Sequence, residues 1–262
     1  MLGSTELGGC CQPPSNPCIP LEPSDPLYMT FRQLKKEVFN LLMGDDFSSS
    51  LVQLSRLPAR QVVNPLFSFL HHTDDIVRWH AVSAMGVVTA GLADKNMESA
   101  RVVMRRLLWN LNDESGGIGW GSPEAMGDIM ARSDPLAREF SKILISYVLP
   151  HGNFLENGML QRGVLWGLNR LSKVNPGLTC GAAPFVRPFL TSRDPFHRGL
   201  AIFFAEIVRD ADAMPCLKNL VRDNTLISLY IDFRMTSHTL ANLAASAMTA
   251  IKQNASSPGV SC

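Results

Sequence analysis

Residues 74–86 read DDIVRWHAVSAMG, and their spacing decides the fold. Apolar residues recur at threes and fours, the period of a helix that buries one face. Ala84 and Gly86 fall where close packing needs small side chains. Asp74 stands before the first periodic residue, where a carboxylate caps a helix, and Arg78 follows it by four. The pattern continues to Leu92 and is preceded by a second apolar-periodic stretch, RQVVNPLFSFLHH at 60–72. Together they predict two helices joined by a short turn.

The same unit recurs outward from this pair. Helices are predicted at 97–113, MESARVVMRRLLWNLND, and at 122–131, SPEAMGDIMA, with Ser122 as N-cap and Pro123 in the first turn. Further pairs are predicted at 135–148 with 154–171, at 182–190 with 195–208, and at about 211–223 with 237–252. Asp194 precedes Arg198 by four, and Arg162 holds a similar place in its helix. In each case the acid serves to cap a helix and the arginine to bridge to a neighbouring turn. The one strand signal is NTLISLYIDFRM at 224–235, a small hairpin or extended loop that lacks a two-residue turn signal. The pairs recur at the 35–45-residue period of HEAT-type solenoids, in which neighbours stack and one layer lines a concave surface. The expected architecture is an all-α solenoid of five to six helix pairs over 29–254. A disordered Pro/Gly/Ser/Cys-rich arm at 1–28 precedes it, and a flexible tail at 255–262 follows.

Composition agrees. Apolar residues make up 46% and charged residues 18%, which is globular rather than disordered. A net charge of +1 gives no bulk attraction to nucleic acid or to an acidic membrane, although Arg101, Arg105 and Arg106 form a local basic group. The six cysteines make no C-x-x-C pair and suit neither a disulfide framework nor a zinc site, so a reducing, cytoplasmic setting is expected. There is no run of 18 apolar residues, and no membrane partner is expected. HHTDD at 71–75 with His80 has metal-ligand residue types, but it spans an inter-helix turn and reads as a polar turn with Asp caps. No metal or cofactor is expected.

The string 75–86, DIVRWHAVSAMG, resembles the second helix of a HEAT-like repeat of the kind found in phycobilisome-lyase-like proteins. The segment DESGGIGWGSPEAMG at 113–127, followed by LQRGVLWGLNRL at 160–171, is similar to an uncharacterised family of bacterial HEAT-repeat proteins. That resemblance implies the solenoid and no activity.

Residues 109–127, WNLNDESGGIGWGSPEAMG, are the densest collection of unusual residues in the chain. They admit three readings. As a structural corner, Asp113 ends a helix, the glycines turn the backbone, Trp120 folds back as an apolar plug and Glu124 is an ordinary N-terminal acid. As a site, Asp113, Glu114, Trp120 and Glu124, with Arg162, present acids and indole faces to a cationic or planar group on a protein or small ligand. It is not a phosphate loop. As an enzyme, the W-x-x-x-D element at 109–113 and the Trp166 helix resemble the HEAT-like alkylpurine DNA glycosylases. That resemblance implies Asp113, Trp109 and Trp166, with Arg138, around an alkylated purine, the carboxylate stabilising an oxocarbenium-like sugar. Arg162 and Trp166, four apart, are expected to form a cation–π pair. The preferred expectation is a non-catalytic binding scaffold, with the glycosylase as alternative and nucleic acid not favoured.

Overall fold

The computed structural model describes residues 29–111 and 119–255. The arm at 1–28, Asp113, Glu114 and the tail after residue 255 lie outside the described residues. Six helix pairs follow one another: α1 (Phe31–Leu42) with α2 (Phe47–Arg56), α3 (Ala59–Phe69) with α4 (Asp75–Lys95), α5 (Met97–Leu111) with α6 (Ser122–Arg132), α7 (Asp134–Ser146) with α8 (Gly158–Ser172), α9 (Ala183–Val186) with α10 (Pro195–Ile207), and α11 (Met214–Leu220) with α12 (Leu240–Ala255). A hairpin of β1 (Leu226–Ile231) and β2 (Arg234–Thr239) interrupts the last pair.

Short polar side chains set the starts of several of these helices. Asp74 accepts from the Ile76 and Val77 amides, Asn157 from Met159 and Leu160, and Asp194 from Phe196. α6 differs from expectation. Its N-cap is Gly121 at φ 73°, and Ser122 is the first helical residue, with its buried hydroxyl unpartnered among the described residues. A Cβ at Gly121 would come within 2.9 Å of the Leu70 carbonyl, so the chain turns tightly under α3 where no side chain fits. The 182–190 helix is also corrected. Pro184 and Pro188 break it into 3₁₀ turns around the single turn of α9. The final helix starts at Leu240 rather than 237, because Ser237 to Thr239 belong to β2.

The tightest packing runs through the second helix of each pair: α4 on α6, α6 on α8, α8 on α10, α10 on α12. Gly127 and Gly167 let α6 and α8 meet backbone to backbone; a Cβ on Gly127 would overlap the Gly167 main chain. Gly86 likewise leaves room for the Asp128 carboxylate. The close second-helix layer forms the inner face of the solenoid, and the first helices form the outer one. α4 is long and apolar enough to cross a membrane by length and composition, yet 67% of its apolar window is buried inside the fold, as in a core helix.

The hairpin lies across this inner face. Ile227 packs at Gly199 of α10, and the Trp166 indole of α8 donates to the Tyr230 carbonyl at 3.0 Å. Tyr230 stacks on Trp79 of α4 at 5.0 Å, and its hydroxyl meets Ser83 at 3.1 Å. At the tip, Phe233 packs edge-on against Phe47 of α2. A two-residue turn does exist here, Asp232-Phe233, with both residues at positive φ. That is the twist a tight hairpin requires, although a bulky residue rarely adopts it. The Phe233–Phe47 contact supplies the compensation that the sequence pattern did not reveal.

Candidate functional site

The hairpin and Trp166 divide the inner face into two cavities. The larger, of about 280 Å³, opens at the N-terminal ends of the second helices. α4 contributes Asp75, Arg78 and Trp79, and the turn into α6 contributes Trp120 and Glu124. α8 contributes Met159, Arg162 and Trp166, α10 contributes Phe196, and the hairpin closes it with Ser228, Leu229 and Met235. Four of the residues expected from sequence, Trp120, Glu124, Arg162 and Trp166, therefore meet in one cleft.

Glu124 is its distinctive group. Two readings of this residue are corrected together: it is not an ordinary solvated acid, and Trp120 is not an internal plug. Trp120 remains 40% exposed at the cleft wall. The Glu124 Oε2 is sealed from solvent and has no hydrogen-bond partner among the described residues. Gly163 makes this placement possible, since a Cβ there would lie 2.6 Å from that oxygen. Burial pushes the carboxyl up to about 7, against the smaller opposing pulls of its own backbone amide and the Arg78 charge.

The two arginines of the cleft are already matched. Arg78 pairs with Asp75 at 2.9 Å and Arg162 with Asp194 at 2.6 Å, the latter a bridge from α8 to the cap of α10. Arg198 repeats the device one unit on, reaching Asp223 at 3.0 Å. Burial pushes the Asp194 carboxyl up, but the Arg162 and Phe196 hydrogen bonds and the His197 and Arg162 charges outweigh it and hold it below the usual carboxylate range. The expected Arg162–Trp166 pair is not formed. Arg162 lies over the Phe196 ring at 4.4 Å, while Trp166 is taken up by Trp79 and Tyr230. With its arginines paired, the cleft offers one carboxyl oxygen without a hydrogen-bond partner among the described residues, set between aromatic faces.

The residues implied by the glycosylase resemblance do not converge. Trp109 on α5 is 74% exposed, Arg138 on α7 pairs with Asp134 in solvent, and neither lines either cavity. Both sit on outer-layer helices, whereas Trp166 faces inward. The basic group is partly offset locally: Arg101 binds Glu139 and Glu98, Arg105 binds Glu98, and Arg106 binds Asn64 and covers Phe67. His80 is buried, with Nδ1 at 2.7 Å from the Leu42 carbonyl, and no metal-binding cluster exists among the described residues. Cys180 and Cys216 are free and partly buried, packed against the edge of the core.

The chain resembles an engineered protein of known structure, with a TM-score of 0.50 and 16% identity over 84% of this chain and 96% of that one. The fold is an all-α solenoid of HEAT-like helix pairs. The solenoid is also similar to a designed armadillo repeat protein in complex with peptide (KR)4, with a TM-score of 0.49 and 16% identity over 84% of this chain and 99% of that one. Against the archaeal HEAT-like repeats protein from Thermococcus onnurineus NA1 the TM-score is 0.40, with 13% identity over 87% of this chain and 83% of that one. At these identities the likeness is one of fold. No protein-family profile matches the chain. In sequence, 70 residues are 36% identical to an uncharacterised protein of Archaeoglobus fulgidus, covering 27% of this chain and 34% of the relative, about a third of its length.

The aromatic partners Trp79 and Phe196 and the hairpin residues of the cleft were missed from sequence. A signal existed for Trp79, which directly follows Arg78 in the stretch that decides the fold. None existed for Leu229 or Met235, which arrive from the far end of the chain.

Proposed function

We propose that this solenoid is a non-catalytic binding scaffold that takes a basic side chain of a protein partner, an amine or guanidinium, into the Glu124 cleft. The observation that carries the reading is the buried, unpartnered Glu124 oxygen inside an aromatic-walled cleft. A buried carboxyl without a partner is costly, and a cation restores what burial removed. Indole and phenyl faces attract the same charge through their quadrupoles, most strongly when water is excluded. Trp79, Trp120, Trp166 and Phe196 supply those faces. Arg78 and Arg162 do not repel the ligand strongly, because Asp75 and Asp194 already match their charge. Asp113 and Glu114, seven and six residues before Trp120, are included as further acids for the same partner on sequence proximity alone. A cytoplasmic setting belongs to this proposal too, resting on the cysteine pattern.

Three of the four tryptophans line the cleft, so intrinsic fluorescence reports its occupancy. Titration with N-acetyl-arginine amide and N-acetyl-lysine amide should change the emission saturably, and Glu124→Gln should weaken binding about ten-fold or more. An emission change that is absent, or identical in the variant, would overturn the reading.

A further inference from the structure

The second cavity, of about 140 Å³, lies on the other side of Trp166, toward the C-terminal halves of the same helices. Its floor is Asp128, 2% exposed, whose two oxygens accept from Arg132 Nε at 2.7 Å and Arg170 Nε at 2.6 Å. The carboxylate holds the two guanidinium groups side by side and consumes only their Nε–H donors. No Nη donor of either arginine is hydrogen-bonded among the described residues. Lys173, one turn beyond Asn169 and Arg170 on α8, adds a third cation at the exposed edge. Against these three positive charges stand Asp128 itself and the exposed Asp232 at the hairpin turn. Asn169 also lines the cavity. It is 7% exposed, its Nδ2 donates to the Leu200 carbonyl at 2.9 Å, and its Oδ1 is buried without a partner. The bond to Leu200 fixes which way the amide points, so the orphan atom is an acceptor.

We propose that this cavity binds a small oxyanion that also carries an O–H, of which hydrogen phosphate is the simplest. Guanidinium Nη groups and the Lys173 ammonium take the anionic oxygens, as forked donors and a point charge do at phosphate sites. The P–OH donates to Asn169 Oδ1, the buried acceptor that the described residues leave unpaired in this cavity. Sulfate has the same shape and charge but no proton to give, so the site tells the two apart. The walls are apolar, from Trp166, Tyr230 and Phe233, and limit the ligand to a small head group.

Calorimetric titration of the full chain with phosphate and with sulfate at matched ionic strength tests this. Phosphate should bind saturably at one site, with sulfate about ten-fold weaker or more. Lys173→Ala, at an exposed position, should weaken both anions several-fold and leave the melting temperature unchanged. Asn169→Leu should bring phosphate down to the level of sulfate. Should that variant fail to fold, the wild-type phosphate-to-sulfate ratio carries the test alone. A third titration, with methyl phosphate at about pH 8, separates sources: its dianion carries no P–OH, so it should fall toward sulfate if the site takes free hydrogen phosphate, and binding as tight as phosphate would overturn the proposal. No saturable binding of any of the three to folded protein, or equal affinity for phosphate and sulfate, would overturn the proposal.

Discussion

The indole Nε1–H of Trp166 donates to the main-chain carbonyl of Tyr230 at 3.0 Å, joining α8 to a strand 64 residues later. This bond pins the hairpin across the inner face and makes Trp166 the wall common to both cavities. Trp166→Phe keeps a ring and removes the donor. It should cost about 1–3 kcal/mol, since a half-buried carbonyl loses its partner. Amide exchange should rise first in residues 226–239, before the helices around them, because the hairpin has few other main-chain anchors to α8. Uniform exchange across the chain would show that the bond does not fasten the hairpin.

Gly127→Ala should be among the most damaging single-methyl additions at the described glycines. The added Cβ meets the Gly167 backbone, which cannot move aside as a flexible side chain can. A loss of about 1–3 kcal/mol or more is expected, read as a lower urea midpoint. Gly181→Ala, where a Cβ meets nothing within 4 Å, provides the matched control and should be close to neutral.

Stability should depend on pH through Glu124 with an unusual sign. Its folded pKa, about 7, lies above the ordinary carboxylate value of 4.5, so the folded state binds more protons between these limits. Stability therefore falls as pH rises through that window and levels off above about 7. Glu124→Gln should remove this fall and stabilise the free protein above pH 7, by about 1–3 kcal/mol. Urea unfolding of both proteins on either side of the window measures it. A variant less stable than wild type at high pH would show that the carboxylate has a partner after all.

Asp194 should show the opposite dependence. Its folded pKa is held below 3.8, so its contribution is present above the ordinary value and is lost as pH falls through the lower folded one. Asp194→Ala removes both the α10 cap and the Arg162 partner and should cost about 1–2 kcal/mol. Asp194→Asn retains a capping oxygen and should recover most of that.

The solenoid was legible because each pair announces itself locally, through the helical period and the capping acids Asp74 and Asp194. The cleft was legible in part, because Trp120, Glu124, Arg162 and Trp166 come from conspicuous stretches. What sequence could not show was depth. Asp128 and Arg132 stand four apart, a spacing common on solvated helix faces, yet Asp128 is 2% exposed because Gly86 of α4 opens space for it. Glu124 looked like a solvated first-turn acid for the same reason, since the room at Gly163 belongs to another helix. The hairpin turn was missed because Phe233 breaks the usual residue rule for positive φ and is held by Phe47, nearly 190 residues earlier.

The most direct measurement is the affinity of N-acetyl-arginine amide, by tryptophan fluorescence, across about one pH unit on either side of 7, for wild type and Glu124→Gln. Asp75 and Arg78 on α4 and Arg162 on α8 also face this cleft, and both wild type and variant carry them. If Glu124 receives the cation, wild-type affinity should rise with pH through about 7 and then level off, while the variant binds weakly and without that rise. Wild-type affinity that is flat across the range, or a variant that binds as tightly as wild type, would contradict the account.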